Sequence, residues 1–220
     1  MREIKMVDNV FGIEEENVIQ FAKGKHIIRT QEEAVRQISK QQIVAIFQGE
    51  SEIGPRALGN RSILFDPRHP NAKNIMNTVK KREAYRPFAV TCMLEHAEEY
   101  FDMLQLPESP WMSFAIQCKP KALKDIPTLV HADNTCRIQT VTEEQNKNYY
   151  NLIKGFYERT GVPIIFNTSF NLGGEAICET VYDAIDTCNR SMINHLYIPE
   201  DQDVHIPYDS ILDKTEYMPD

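Results

Sequence analysis

Three short apolar runs constrain the fold of this chain more than any other feature: Ile43-Val44-Ala45-Ile46-Phe47, Phe88-Ala89-Val90-Thr91-Cys92-Met93, and the run from Val162 to Phe166. Each is of strand length and reads as a buried strand. β-branching marks another strand over Arg137 to Val141, and Ile63-Leu64-Phe65 and residues 112–118 complete the set. Helical spacing fills the gaps. Thr30 with Glu33 resembles a capping box ahead of Ala34, Val35 and Ile38. Ala72, Ile75, Met76 and Val79 predict a helix over 71–80, and Ala97, Tyr100, Phe101 and Leu104 one over 95–104. Tyr149, Leu152, Ile153 and Phe156 mark an amphipathic helix that Gly161 and Pro163 end. Thr180 caps a last helix running to about Ile193. Strands and helices alternate, so the class is α/β with a mixed sheet. Ligands of such sheets sit in a crevice at strand ends.

The 220 residues suit one globular domain over 28–198. Residues 1–27, with Phe11, Ile13, Val18 and Phe21, read as a lead-in packed on the body, and 199–220 as a polar tail. The net charge of −8 disfavours non-specific nucleic-acid binding, and no DNA binding is expected. No apolar run approaches the length of a membrane helix, and MREIKMVDNVFG lacks the apolar core of a signal peptide. The five cysteines are odd in number and form no CxxC pair, which fits a reduced, cytoplasmic compartment.

Against this acidic background, cations gather in loops. In GPRALGNRS, Gly54 and Gly59 free the backbone, Pro55 fixes it, and Arg56 and Arg61 project. Guanidiniums held so suit bidentate contact with phosphate or carboxylate. The stretch reads equally as a tight turn whose arginines pair with surface carboxylates. VKKREAYRPF puts Lys80, Lys81, Arg82 and Arg86 at the mouth of a buried strand, which favours an anion site over a solvated helix end. Arg137 begins a strand and can salt-bridge or line the crevice. In PIIFNTSFNLGGE, Asn167, Ser169 and Asn171 precede Gly173-Gly174, so the loop can hydrogen-bond phosphate or form a plain Asx turn. There is no Walker A, GxGxxG or GxSxG motif, and no histidine or cysteine cluster with metal-ligand spacing. What remains is a polyanion site suited to phosphoryl or adenylyl transfer.

FQGESEIGPRALGNRSILFDPR, VKKREAYRPFAV, HADNTCRIQTV and GVPIIFNTSFNLGGE, in this order, resemble the carboxy-terminal domain of the NodU/TobZ-type O-carbamoyltransferases. The resemblance implies a YrdC-like fold, a twisted mixed sheet flanked by helices. It implies ATP and carbamoyl phosphate as substrates, with Mg²⁺ accompanying the nucleotide, and carbamoyl adenylate and pyrophosphate as products. It assigns Arg56, Lys81 and Arg137 to catalysis. Arg61, Lys80, Arg82, Arg86, Asn167, Ser169 and Asn171 go to substrate binding. The family site combines a Lys/Arg pair with a Ser-x-Asn motif, here Ser169-Phe170-Asn171, and leaves Lys80 and Lys81 as competing lysines. Family members place an actin-like domain before this one for transfer to a hydroxyl. The resemblance therefore implies an actin-like partner, unless the sequence is an excised domain or acts alone on another acceptor. Two other readings stay open: a non-catalytic nucleotide-binding module, and a threonylcarbamoyl-adenylate role in tRNA modification.

Overall fold

The computed structural model describes residues 18–199. Their strands form one mixed sheet with helices on its faces. In chain order come β1 (Val18–Ala22), β2 (Lys25–Ile28), α1 (Gln31–Ser39), β3 (Val44–Phe47), β4 (Arg61–Phe65), α2 (Ala72–Val79), β5 (Ala89–Met93) and α3 (Leu94–Tyr100). Then follow β6 (Ala115–Gln117), α4 (Pro120–Asp125), β7 (Thr135–Val141), α5 (Lys147–Thr160), β8 (Ile164–Ser169), α6 (Val181–Asn189) and β9 (His195–Tyr197). The spatial order is β1-β2-β9-β3-β4-β8-β5-β7-β6. β3, β4 and β5 are buried at every position, as covered strands must be. β8 enters between β4 and β5, antiparallel to both. β5 and β7 run parallel.

Several expectations shift for local reasons. β1 and β2 form a hairpin joined to the sheet through β9, so part of the expected lead-in is sheet. Phe21 is buried as expected, while Phe11, Ile13 and the 200–220 tail lie outside the described residues. Thr30 is the N-cap of α1, but its side chain makes no capping bond. Glu33 is instead taken by Arg36 at 2.5 Å and Gln37 at 2.6 Å. The capping box belongs to α6, between Thr180 and Asp183, and α6 ends at Asn189 rather than near 193.

The helix expected over 95–104 stops at Tyr100. Phe101 turns extended, bridges Cys118 and buries its ring, while Leu104 is exposed with a φ of +53°. The apolar spacing there came from two elements. Met112, also at φ +53°, keeps β6 from starting at 112. β4 starts at Arg61, earlier than its apolar run, because Phe47 covers that guanidinium at 3.7 Å.

His26 and His195 stack across the paired β2 and β9, with ring centroids 5.8 Å apart. Burial, aided by His26, lowers the His195 imidazolium to about 4. Its ordinary value is 6.5. Between those values the unfolded chain binds a proton that the folded chain refuses. Stability is therefore full above pH 6.5 and falls as pH drops toward 4. Urea midpoints measured from pH 7 to 4 should decline over that window, and His195→Phe should lessen the decline.

Candidate active site

The three loops singled out in the sequence converge at one end of the sheet. Pairing sets Leu64 opposite Asn167, Asn167 opposite Ala89, and Ala89 opposite Arg137. In-register residues share a face. Arg137 and Asn167 thus lie on one face, and Ser169, two residues beyond Asn167 on β8, lies there too. Arg61 O accepts from Phe170 N at 2.9 Å, tying the loop after β8 to the start of β4.

A cleft of about 630 Å³ opens between the loop after α2 and the loop after β8. Lys80, Lys81, Arg82, Glu83 and Arg86 line one side, and Ser169, Asn171 and Leu172–Gly174 the other. Lys80 is the buried centre. Its Nζ donates to Ser169 O at 2.6 Å, Ser169 Oγ at 3.0 Å and Asn171 Oδ1 at 2.6 Å. Those three acceptors match the three donors of an ammonium. Burial, with the nearby Arg82 charge, opposes them and lowers Lys80 to about 7. The structure therefore brings Lys80, not Lys81, against the Ser-x-Asn segment. Lys81 lines the cleft from an exposed position at φ +51°. Gly173 N donates to Lys80 O at 2.7 Å, and a Cβ at Gly173 would stand 2.9 Å from that oxygen. Only glycine allows this approach.

Asn77, on the buried face of α2, organises the cationic loop and was missed in the sequence. Its Nδ2 donates to Ala84 O at 3.1 Å and Arg86 O at 3.2 Å, and its Oδ1 accepts from Arg82 Nε at 2.8 Å. Arg82 also stacks over Phe88 at 4.2 Å. The only available signal was an amide between Met76 and Val79, at a position the helical spacing buries. Arg86 pairs with Glu83 at 2.7 Å and both are exposed.

The GPRALGNRS loop is tied to β7 and β8, and neither its residues nor Arg137 line this cleft. Arg56 is exposed at the loop's tip, and Arg137 is half-buried. Burial and the like charge of Arg56 both lower the Arg137 guanidinium. Arg61 does not face the cleft. It is buried, and donates to the carbonyls of Gln48 at 2.5 Å, Asn60 at 3.1 Å, Gly49 at 3.3 Å and Glu179 at 3.4 Å. The carboxylate of this loop, Glu52, instead takes backbone amides, with Asn60 N at 2.6 Å. Gly59 is at φ +115°, and a Cβ there would stand 2.2 Å from the Tyr149 ring. Asn167 is buried too. Its Nδ2 donates to Ala57 O at 3.2 Å, Thr91 Oγ1 at 3.0 Å and Gln139 Oε1 at 3.2 Å.

Four buried side-chain atoms among the described residues lack a partner, and three of them, Gln48 Oε1, Arg61 Nε and Asn167 Oδ1, belong to residues holding this loop. Each such atom costs about 1–3 kcal/mol.

The cleft does not fit a resident Mg²⁺. Glu83 is engaged by Arg86 and Glu175 by Arg190, and the described residues hold no group of three metal-ligating side chains. What it offers is cations, hydroxyl and amide, which together suit a polyphosphate.

Residues 35–202 match the family described as Carbamoyltransferase C-terminus. The chain belongs to this family. Nodulation protein NolNO of Sinorhizobium fredii is 45% identical over 150 residues, spanning 66% of this chain and 22% of that protein. Nodulation protein NolO of Bradyrhizobium diazoefficiens is 44% identical over 150 residues, spanning 66% of this chain and 27% of that protein. The 3'-hydroxymethylcephem-O-carbamoyltransferase of Amycolatopsis lactamdurans is 32% identical over 156 residues, covering 71% and 29%. The match thus takes up less than a third of each relative. The fold is shared with P. abyssi Sua5 complexed with L-threonine, at a TM-score of 0.57 and 13% identity over 79% of this chain and 49% of that one. It is shared also with full-length HypF in its phosphate- and nucleotide-bound form, at 0.56 and 18% over 79% and 25%. The expected YrdC-like fold therefore holds.

Asn77→Leu should release Arg82 and the carbonyls of Ala84 and Arg86. Urea unfolding should show a loss of about 1 kcal/mol or more, and calorimetry a weaker affinity for inorganic pyrophosphate. Unchanged pyrophosphate affinity would show that Arg82 does not depend on Asn77.

Proposed function

We propose that this domain makes carbamoyl adenylate from carbamoyl phosphate and ATP, for transfer to a hydroxyl by an actin-like partner domain or subunit. The observation that carries the reading is the Lys80 ammonium held between Ser169 and Asn171, inside a cleft whose other wall is Lys81, Arg82 and Arg86. Membership of the carbamoyltransferase family supports the group transferred. The relatives' greater length supports a second domain.

Atom balance sets the steps. Water takes the phosphoryl group of carbamoyl phosphate, leaving carbamate and inorganic phosphate. A carbamate oxygen then attacks the α-phosphorus of ATP, the bond from that phosphorus to the bridging oxygen breaks, and pyrophosphate departs. Neither step needs a nucleophile from the protein. The work is neutralising and aligning negative groups, where fixed cations in a partly desolvated cleft act most strongly. Arg82, oriented by Asn77 and Phe88, and Arg86 neutralise the ATP phosphates. Lys80 holds the Ser169 hydroxyl and the Asn171 amide in place, and a bound polyphosphate favours its charged form. Arg56 and Arg137 are two adjacent cations with an unmet need for an anion, which suits the second phosphate substrate. Mg²⁺, arriving with ATP, would share the phosphate charge.

Arg82→Ala and Ser169→Ala should each lower carbamoyl-phosphate-dependent exchange of labelled pyrophosphate into ATP by about 100-fold. Full exchange in both variants would sink the site assignment. ATP binding without exchange in the parent protein, with its partner supplied, would identify a nucleotide-binding module instead.

A further inference from the structure

Beside the exposed Arg56 and the half-buried Arg137 lies a buried polar network whose members do not line the cleft. Tyr149 OH donates to Thr91 Oγ1 at 2.9 Å, and Thr91 Oγ1 donates to Gln139 Oε1 at 2.8 Å. Asn167 Nδ2 donates to both Thr91 Oγ1 and Gln139 Oε1. Two bonds leave the network for the GPRALGNRS loop. Gln139 Nε2 donates to Leu58 O at 2.9 Å, and Asn167 Nδ2 to Ala57 O at 3.2 Å. All four residues are buried.

The orientations of the two amides in this network are determined. Ala57 O and Leu58 O only accept, so each amide nitrogen must face the loop. Gln139 Oε1 must then face Thr91 and Asn167. Reversing either amide sets oxygen against oxygen. With each amide held in one orientation, the network ties the loop at two carbonyls.

The placement of the two tethers gives them a use. Gln139 stands two residues beyond Arg137 on β7, so both side chains are on one face. Leu58 stands two residues beyond Arg56 in the loop. The Gln139–Leu58 bond therefore joins the two backbones at equal steps past the two arginines. Arg56 and Arg137 carry like charges and repel, and that repulsion lowers the Arg137 pKa. Nothing in their own contacts holds them together. We infer that Gln139 and Asn167, braced by Thr91 and Tyr149, are positioning residues that set Arg56 against Arg137 as one anion-binding pair. This moves Asn167 from contacting the substrate to placing the groups that do. The inference rests on reading the two arginines as phosphate contacts.

A double-mutant cycle on the full chain tests it, with inorganic phosphate as the calorimetric probe. Gln139→Met keeps side-chain length and removes the tether. It should weaken phosphate binding by about tenfold in the parent background and by less than about twofold in Arg56→Ala, because Gln139 acts through Arg56. An equal loss in both backgrounds would reduce the network to general scaffolding and overturn the inference, leaving the arginine site intact. Unchanged binding in Gln139→Met would overturn it too. Should Arg56→Ala and Arg137→Ala both bind phosphate like the parent, the reading of the arginines fails, and the inference with it. If Gln139→Met does not fold, Gln139→Glu serves the same cycle: it keeps an acceptor for Thr91 and Asn167 and loses the donor to Leu58 O.

Discussion

The guanidinium of Arg61 is the contact on which the site's architecture depends. It lies under Phe47 and gives its protons to carbonyls from three segments: the end of β3, the loop before β4, and the approach to α6. No carboxylate forms an ion pair with it among the described residues, although the Glu52 carboxylate of the same loop supplies an opposite charge nearby. A buried charge survives only when it is compensated and its hydrogen bonds are met. Arg61 meets most of them, through its two terminal nitrogens, with main-chain oxygens that loops would otherwise have to offer to water, and only Nε is left without a partner. The charge thus serves as a multivalent clasp, and its desolvation, which lowers its pKa, is offset by the order it imposes on three loops. Lysine has no planar fork to reach several carbonyls at once.

The fold was legible because its signals were local. Unbroken apolar runs gave β3, β5 and β8, and helical spacing gave α2 and α5. Cap chemistry was readable at Thr180, where Asp183 returned the bond, and misleading at Thr30, where Glu33 found Arg36 one turn away. Leu104 joined a helical pattern only because Phe101, buried in another context, happened to fit its spacing. Errors of this kind arise where tertiary packing overrules a local period.

Residue types at the site were legible, but their directions were not. The sequence placed Arg56 and Arg61 in one loop without saying that one faces out and the other in. It placed Lys80 beside Lys81, but only the turn after α2, with Lys81 in the left-handed region, decides that Lys80 meets Ser169 and Asn171. Asn167 looked like a ligand contact because it shares a polar loop signature with Ser169. Yet β8 continues through Ser169, and Asn167 is still inside the sheet. Asn77 and Gln139 left almost no trace, since an isolated amide in an apolar pattern has no signature until its partners are known.

The insertion of β8 between β4 and β5 has a kinetic side. Arg56 and Lys80 lie early in the chain, Arg137 lies later, and Ser169 and Asn171 arrive on one of the last strands. None of these groups can meet until that late strand has found its slot, a closure across more than eighty residues in the case of Lys80 and Ser169. Loop-closure entropy makes such long-range pairing slow and late. The cleft is consequently a property of the completed sheet alone. A ligand that recognises only the completed cleft would stabilise the finished fold by mass action.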